Sequence, residues 1–367
     1  MRHYIIAGLL MIGIVTNNFS QVSQKFYNIE LVSTTKLKDQ QSSGTCWSFA
    51  TTSFLETEAL RLGKKPISLS PIFFVSPTYL AKAERYIEKN GDSYFDAGDL
   101  TFNVLKAYKK YGAVPEEVYN GVIEGDWQHD HLEMDNLLYA MVESVGNSGY
   151  GRIKPNSWKK SFKATLTAYL GETPVDFQFQ GAQYNPVSFA KKFVGIDPDN
   201  YVEITSYSHL PFNDKSVVLD IPANWDENHY LNVSISDFEQ ITNSALENGY
   251  SLAWDGDATE DTFNFEKGIA KLTEQEEKEV ITQEQRQSTF EDKSTTDDHN
   301  MHIIGRAEDG EGRTFYVLKN SEGDNKLGGY IYMSRNAFLL KTISILVCKD
   351  AIPSEIKKKT FLMNEKF

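Results

Sequence analysis

Cys46 is the residue around which chemistry can be built. It stands where a small polar loop, Asp39-Gln40-Gln41-Ser42-Ser43-Gly44-Thr45, runs into Cys46-Trp47-Ser48-Phe49-Ala50. Trp47, Ala50, Phe54 and Glu58 recur at three- and four-residue steps until Gly63 and Pro66 stop the pattern, which predicts a helix. A thiol at a helix N-terminus meets the positive end of the backbone dipole and unpaired N–H groups, both of which favour the nucleophilic thiolate. The same N–H groups can receive an oxyanion, and the side-chain amide of Gln40, six residues ahead, can supply a second donor. The plain alternative is a buried cysteine packed as a small hydrophobe.

A thiol nucleophile needs a base, and the base needs a group to orient it. Thr295-Thr296-Asp297-Asp298-His299-Asn300-Met301-His302 offers two histidines at the start of an expected strand. A second strand, Thr314-Phe315-Tyr316-Val317-Leu318-Lys319, follows the turn Glu308–Gly312 and delivers Asn320, whose amide oxygen can accept an imidazole N–H.

Gln40 through Trp47 resembles the active-site stretch of papain-fold cysteine peptidases. The Ser-Ser-Gly-Thr-Cys-Trp version is similar to the bleomycin hydrolase and aminopeptidase C branch. The resemblance implies Cys46 as nucleophile, His299 as acid and base, Asn320 as its orienting partner and Gln40 in the oxyanion hole. His299 is preferred to His302 because it lies six residues before Gly305, as in the family. Lys319-Asn320-Ser321 matches the family's Lys-Asn-Ser-Trp-Gly, but Glu322 replaces the tryptophan that shields the His–Asn bond. A carboxylate there admits water or holds a protonated imidazole more firmly. Tyr94–Asp99 resembles the stretch in which Gly98 lets a substrate backbone approach, with Ala97 where the family has glycine. The implied fold is α+β and papain-like, with a helical lobe carrying Cys46 and a β-rich lobe carrying His299 and Asn320. In the resembled branch the C-terminus lies in the cleft and restricts cleavage to N-terminal residues, and six subunits assemble. The expected activity is therefore cysteine-type peptide hydrolysis, more of the aminopeptidase than the endopeptidase kind. Two other classes compete: a catalytically weak or inactive peptide-binding protein, with Glu322 as its marker, and a transglutaminase-like acyl transferase.

The elements that must hold these residues follow from periodicity. Helices are expected over Ile72 to about Lys89, over Leu100–Tyr111, around 130–145 and 156–170, at Phe238–Gly249 and near 271–281. Residues 120–235 form a middle section, similar to the insertion of bleomycin hydrolases, that is expected to be largely helical. Residues 21–352 are expected to be the peptidase domain and 353–367 a C-terminal tail.

The chain has 367 residues, 40% hydrophobic and 24% charged, which suits a folded two-lobed protein. A net charge of −14 argues against nucleic acid, whose binding needs a positive footprint, and against anionic lipid. Arg2-His3 ahead of an apolar run from Tyr4 to Val15 has the layout of a secretory signal, with cleavage expected near Ser20-Gln21. That implies a secreted or periplasmic protein without stable membrane association. Of the two cysteines, Cys348 lies in an apolar strand-like stretch and is expected to be a core thiol, leaving Cys46 free. No cofactor is expected. Asp255 to Glu266 has calcium-loop spacing, but Glu260 stands where such a loop needs glycine, and His129-Asp130-His131 lacks a third ligand and is expected to be an exposed turn. The partners expected are peptide substrates.

Overall fold

The computed structural model describes residues 25–123, 128–146 and 156–361. The expected signal segment, 1–20, lies outside these residues. The first lobe is helical: α1 (Cys46–Arg61), α2 (Ile72–Glu88), α3 (Thr101–Tyr111), α4 (Leu132–Gly146), α5 (Ser157–Leu170) and the short α6 (Pro186–Phe189). Phe54, Phe74, Val104, Leu138, Phe162 and Phe189 meet in its core.

Helix α1 is buried on nearly every side, so its polar side chains need partners within the protein. Most find them on its neighbours, Thr52 Oγ1 being an exception. Ser48 Oγ donates to Pro71 O at 2.6 Å, and Glu56 accepts from Lys38 Nζ at 2.8 Å and from Leu69 N at 2.7 Å. Ser53 Oγ meets His302 Nδ1 at 2.9 Å, and Glu58 accepts from Tyr201 OH at 2.9 Å and from Arg61. Gly63 then ends the helix at φ +77°, a conformation that glycine adopts without strain.

The second lobe is built on a ten-stranded sheet. Its strands are β1 (Tyr27–Leu31), β4 (Tyr201–Thr205), β5 (Asp214–Val218), β6 (His229–Asn232), β7 (Leu252–Gly256), β8 (Ile269–Ala270), β9 (His299–Glu308), β10 (Thr314–Lys319), β11 (Tyr330–Ser334) and β12 (Thr342–Cys348); β2 (Phe177–Phe179) and β3 (Ala182–Tyr184) form a separate hairpin. The order is β5-β6-β4-β12-β7-β9-β10-β11-β8, with β1 also paired to β9. Alternation divides the two faces. Leu252, Trp254, Met301, Ile303 and Ile345 enter a core shared with α7 (Ile235–Glu247) and α9 (Arg335–Lys341), whereas Ala253, Leu346 and Cys348 pack toward the helical lobe. That second face lies under α1, where the two lobes meet.

The structure corrects three expectations. The stretch 120–235 is not wholly helical, because Tyr201–Thr205, Asp214–Val218 and His229–Asn232 are strands of the main sheet. Their pairing partners, such as β12 against β4, lie far along the chain, so local pattern does not reveal them. The helix expected near 271–281 is only a 3₁₀ turn, Glu276–Lys278, and the true helix is α8 (Gln283–Glu291). A capping box sets its start: Gln285 N donates to Thr282 Oγ1 and Thr282 N to Gln285 Oε1. The expected tail opens as a docked helix, α10 (Ser354–Phe361), with Ile356 buried in the β-lobe core and Lys359 paired to Asp237 on α7.

Gly112, at φ +85° and ψ −150°, ends α3 where the Pro186 backbone presses against it; a Cβ there would lie 2.2 Å from Pro186 O. Gly112→Ala is expected to destabilise the fold by about 2–3 kcal/mol through strain and clash together. Urea unfolding measures it, and a loss below about 0.5 kcal/mol, the range of ordinary surface substitutions, would contradict this account.

Candidate active site

Cys46 is the first residue of α1 and is 8% exposed. The loop ahead of it is held close to the α2–α3 connection. A Cβ at Gly44 would come within 2.5 Å of the Ala97 Cβ, and Trp47 Nε1 donates to Ala97 O at 3.0 Å. Gly44 therefore permits a contact that a larger residue would forbid, and Ala97 fills the space beside it. Both cysteines are free, and Cys348 is a buried core thiol that accepts from Arg61 at 3.8 Å.

His299 opens β9 opposite Gly256 of β7, near enough to Cys46 for the sulfur to act on the ring. Its Nε2 lies 2.8 Å from Asn320 Oδ1, which also accepts from Ser321 N at 2.9 Å. An oxygen that receives both bonds requires Nε2 to be the protonated nitrogen, which leaves Nδ1 for the sulfur. Glu322 Oε1 lies 3.9 Å from the same Nδ1. Burial alone pulls the His299 pKa down, but the hydrogen bond and charge of Cys46, then Glu322 and Asn320, outweigh it and push the value up to about 9. The ring is thus an imidazolium at neutral pH. Phe265 stands edge-on to it, ring centroids 6.4 Å apart. Sequence reading missed Phe265, which reaches the site from a distant loop with no local motif to mark it.

Gln40 ties the two halves together. Its Nε2 donates to Ser43 O at 2.6 Å, its Oε1 accepts from Ser321 Oγ at 2.6 Å, and its backbone N donates to Ser321 O at 2.7 Å. Ser321 thereby joins the Cys46 loop to the residue next to Asn320. Gly98 lies one residue beyond Ala97, with Tyr94 OH 3.1 Å from where its Cβ would stand. Its carbonyl accepts from the buried Lys82 at 2.8 Å. So Cys46, His299, Asn320 and Gln40 converge, and Gly98 lies on the adjoining loop. His302 is turned away toward Ser53, and burial holds it well below the usual histidine range.

The stretch 129–131 is not an exposed turn. His131 is 3% exposed and its N–H donates to Ser42 O at 3.0 Å, because this segment pairs with the loop ahead of Cys46. Asp255, the first residue of the calcium-like spacing, is a buried strand residue in β7. Among the described residues no three His, Cys, Asp or Glu side chains are arranged to hold a metal ion.

A thiol at a buried helix N-terminus, facing an Asn-oriented histidine across the junction of a helical and a β-rich lobe, defines the papain-like class of cysteine peptidase. The family model described as the Peptidase C1-like family matches residues 169–364, just over half the chain. This protein belongs to that family and is a cysteine-type peptidase. It is 24% identical over 388 residues to aminopeptidase W of Lactobacillus delbrueckii subsp. lactis, a match covering 92% of this chain and 86% of the relative. It is 23% identical over 364 residues to aminopeptidase C of Lactococcus lactis subsp. lactis, covering 86% and 81%. Its fold is shared with the crystal structure of PepW from Lactobacillus rhamnosis HN001, at TM-score 0.70 and 19% identity over 93% of this chain and 85% of that one.

Because the folded value of His299, about 9, lies above the unfolded 6.5, the stability it contributes is fully present below pH 6.5 and is lost as pH rises through 9. Ring titration by NMR is expected to find His299 titrating near pH 9 in the native protein. The value should fall in Cys46→Ala, which removes the largest influence raising it, and fall less in Glu322→Gln. An unmoved value in Cys46→Ala would show that the sulfur does not act on the ring.

Proposed function

We propose that this protein is an aminopeptidase that works by acyl transfer through Cys46. The Cys46 sulfur attacks the carbonyl carbon of the scissile peptide bond. Negative charge then gathers on the carbonyl oxygen, where the Cys46 backbone N–H and the second N–H of the Gln40 amide stabilise it. His299 gives its proton to the leaving amine, which departs and leaves a thioester. A water then yields a proton to His299 and attacks the thioester, releasing the carboxylic acid and restoring the starting pair of sulfur and imidazolium. Asn320 holds the ring and its tautomer throughout. The observation that carries this reading is the placement of His299, held by Asn320 at 2.8 Å and subject to the Cys46 sulfur as the largest influence raising its pKa. Restriction to N-terminal residues is supported by the aminopeptidases W and C to which the chain is similar. The chain's own C-terminus gives no such support up to Phe361, since α10 packs against α7.

Two fluorogenic substrates under reducing conditions test this reading: one aminoacyl coumarylamide with a free α-amine, and one N-blocked dipeptidyl coumarylamide. Cleavage of the first in strong preference to the second, abolished in Cys46→Ala, is the expected result. Preference for the blocked substrate would make the protein an endopeptidase. No cleavage of either, with slow alkylation of Cys46, would favour a peptide-binding protein, the reading that Glu322 marks.

The same reading includes export, motivated by the apolar run from Tyr4 to Val15. N-terminal sequencing of protein recovered outside the cytoplasm is expected to begin near Gln21. A chain that stays inside with Met1 intact would refute it.

A further inference from the structure

The sheet face beneath α1 carries a group of buried polar atoms that the acyl-transfer chemistry does not use. Asp255 of β7 lies directly opposite Asn300 of β9 on one side and Ser344 of β12 on the other. These three side chains therefore form a row across adjacent strands, on the same face as Ala253. Glu203 of β4 and Tyr230 of β6 complete the floor. Asp255 is 1% exposed, Glu203 1%, Tyr230 0%, Ser344 1% and Asn300 3%.

Their hydrogen bonding is incomplete. Both carboxylate oxygens of Asp255, Glu203 Oε2, Asn300 Oδ1, Ser344 Oγ and the Tyr230 hydroxyl have no protein partner, and neither does Asp297 Oδ2 at the edge of the group. Asn300 Nδ2 is directed to Asp99 O, at 3.5 Å, and Glu203 Oε1 accepts from Thr101, so the unpartnered atoms are the remaining ends of these groups. Buried polar atoms are almost always paired, and so many in one place call for an occupant. In their ionised forms most are acceptors only, and an occupant that brings donors would pair them.

The charges act in the same direction. Burial first, and then the charges of Asp297, Glu203, Cys46 and Asp298, every one of them acidic, hold the Asp255 carboxyl well above the usual range. Of the buried cations nearby, Lys82 is taken up by Asp99 and the carbonyls of Asp96 and Gly98, and Arg286 donates through Nε and Nη1 to the carbonyls of Ser206 and Leu339, with its Nη2 unpaired. An ammonium carries three N–H donors and no acceptor, which matches this surplus.

This group of side chains adjoins Cys46 and His299. Gly256, the residue after Asp255, lies opposite His299 in the β7–β9 register. Tyr94, whose hydroxyl stands over Gly98, feels the charges of both Asp297 and Cys46. Asp297 is half-buried, so the group reaches the surface there, beside the Gly98 loop.

We infer that Asp255, with Glu203, Asp297, Asn300, Ser344 and Tyr230, forms a recess that receives the ammonium group of a peptide substrate bound across Cys46. The inference rests on the peptidase reading and names its substrate class: peptides with a primary ammonium close to the scissile bond, either the free α-amine or a lysine side chain on the preceding residue. Binding would place a charge-assisted hydrogen bond on Asp255 and favour its ionised form.

Wild type and Asp255→Asn, an isosteric change, are compared on three coumarylamides: leucyl, N-acetyl-leucyl and N-acetyl-lysyl-leucyl. Wild type is expected to prefer an ammonium-bearing substrate over N-acetyl-leucyl in kcat/KM. Asp255→Asn should reduce that preference at least tenfold, chiefly through KM. A drop confined to the leucyl substrate assigns the α-amine, and one confined to the lysyl substrate assigns the side chain; either upholds the recess. An equal loss on all three, or an unchanged preference, overturns it. Calorimetry on the Cys46→Ala protein with leucinamide and N-acetyl-lysinamide, against N-acetyl-leucinamide, separates the two layers. Binding of an ammonium probe that weakens at least tenfold with Asp255→Asn, in a wild type that hydrolyses nothing, refutes the peptidase reading alone. Hydrolysis with no binding of either ammonium probe refutes the recess alone.

Discussion

The structure depends on a helix that has no solvent face. Helix α1 lies between the lobes, and its Ser48, Ser53, Glu56 and Glu58 side chains bond to the loop before α2, to β9, to the N-terminal segment and to β4. Leaving one member of a buried charged pair uncompensated costs about 3–5 kcal/mol, so these contacts allow the helix a single position and rotation. Its first residue is Cys46, so the same constraint that joins the lobes also aims the sulfur. The cleft chemistry is in this sense a result of how the interface is closed.

The opposing half is fixed by a short hydrogen-bonded chain. Asn320 holds His299, Ser321 next to it holds Gln40, and Gln40 holds the Ser43 carbonyl in the loop that delivers Cys46. Each link is buried, where an unmade hydrogen bond is costly, so a shift of one lobe would break several bonds together. Glu322 changes the electrostatics without breaking this chain. It stands half-exposed beside His299 Nδ1 and supports the imidazolium, while Phe265 supplies an aromatic edge at the same ring.

The acidic recess follows from the same architecture. A sheet face that packs against a helical lobe is normally apolar, as Ala253, Leu346 and Cys348 are on this one. Nearer the cleft the row changes to Ser344, Asp255 and Asn300 without acquiring a compensating cation. A stability argument alone gives no reason for unpaired carboxylates at that place, whereas recognition of an ammonium does. Substrate selection would then come from the floor of the sheet.

Much of the candidate site was legible in the residues themselves. Local motifs carry the loop-to-helix entry at Cys46, the strand that presents Asn320, the glycine stop at Gly63 and the helices around Ile72–Glu88 and Thr101–Tyr111, because caps, turns and periodicity act within a few residues. The α+β class and the likeness to papain-type peptidases followed from the same short stretches. Long-range pairing decided the rest. That β4, β5 and β6 belong to the main sheet, that His131 is buried under the Cys46 loop, and that Phe265 meets His299 all depend on partners distant in sequence. The row of Glu203, Asp255, Asn300 and Ser344 comes from four separated strands of the chain, and no one of them differs locally from an ordinary strand residue. A motif records what a residue does to its neighbours in sequence. The recess exists only because strand register sets those side chains edge to edge and the helical lobe shuts out water above them.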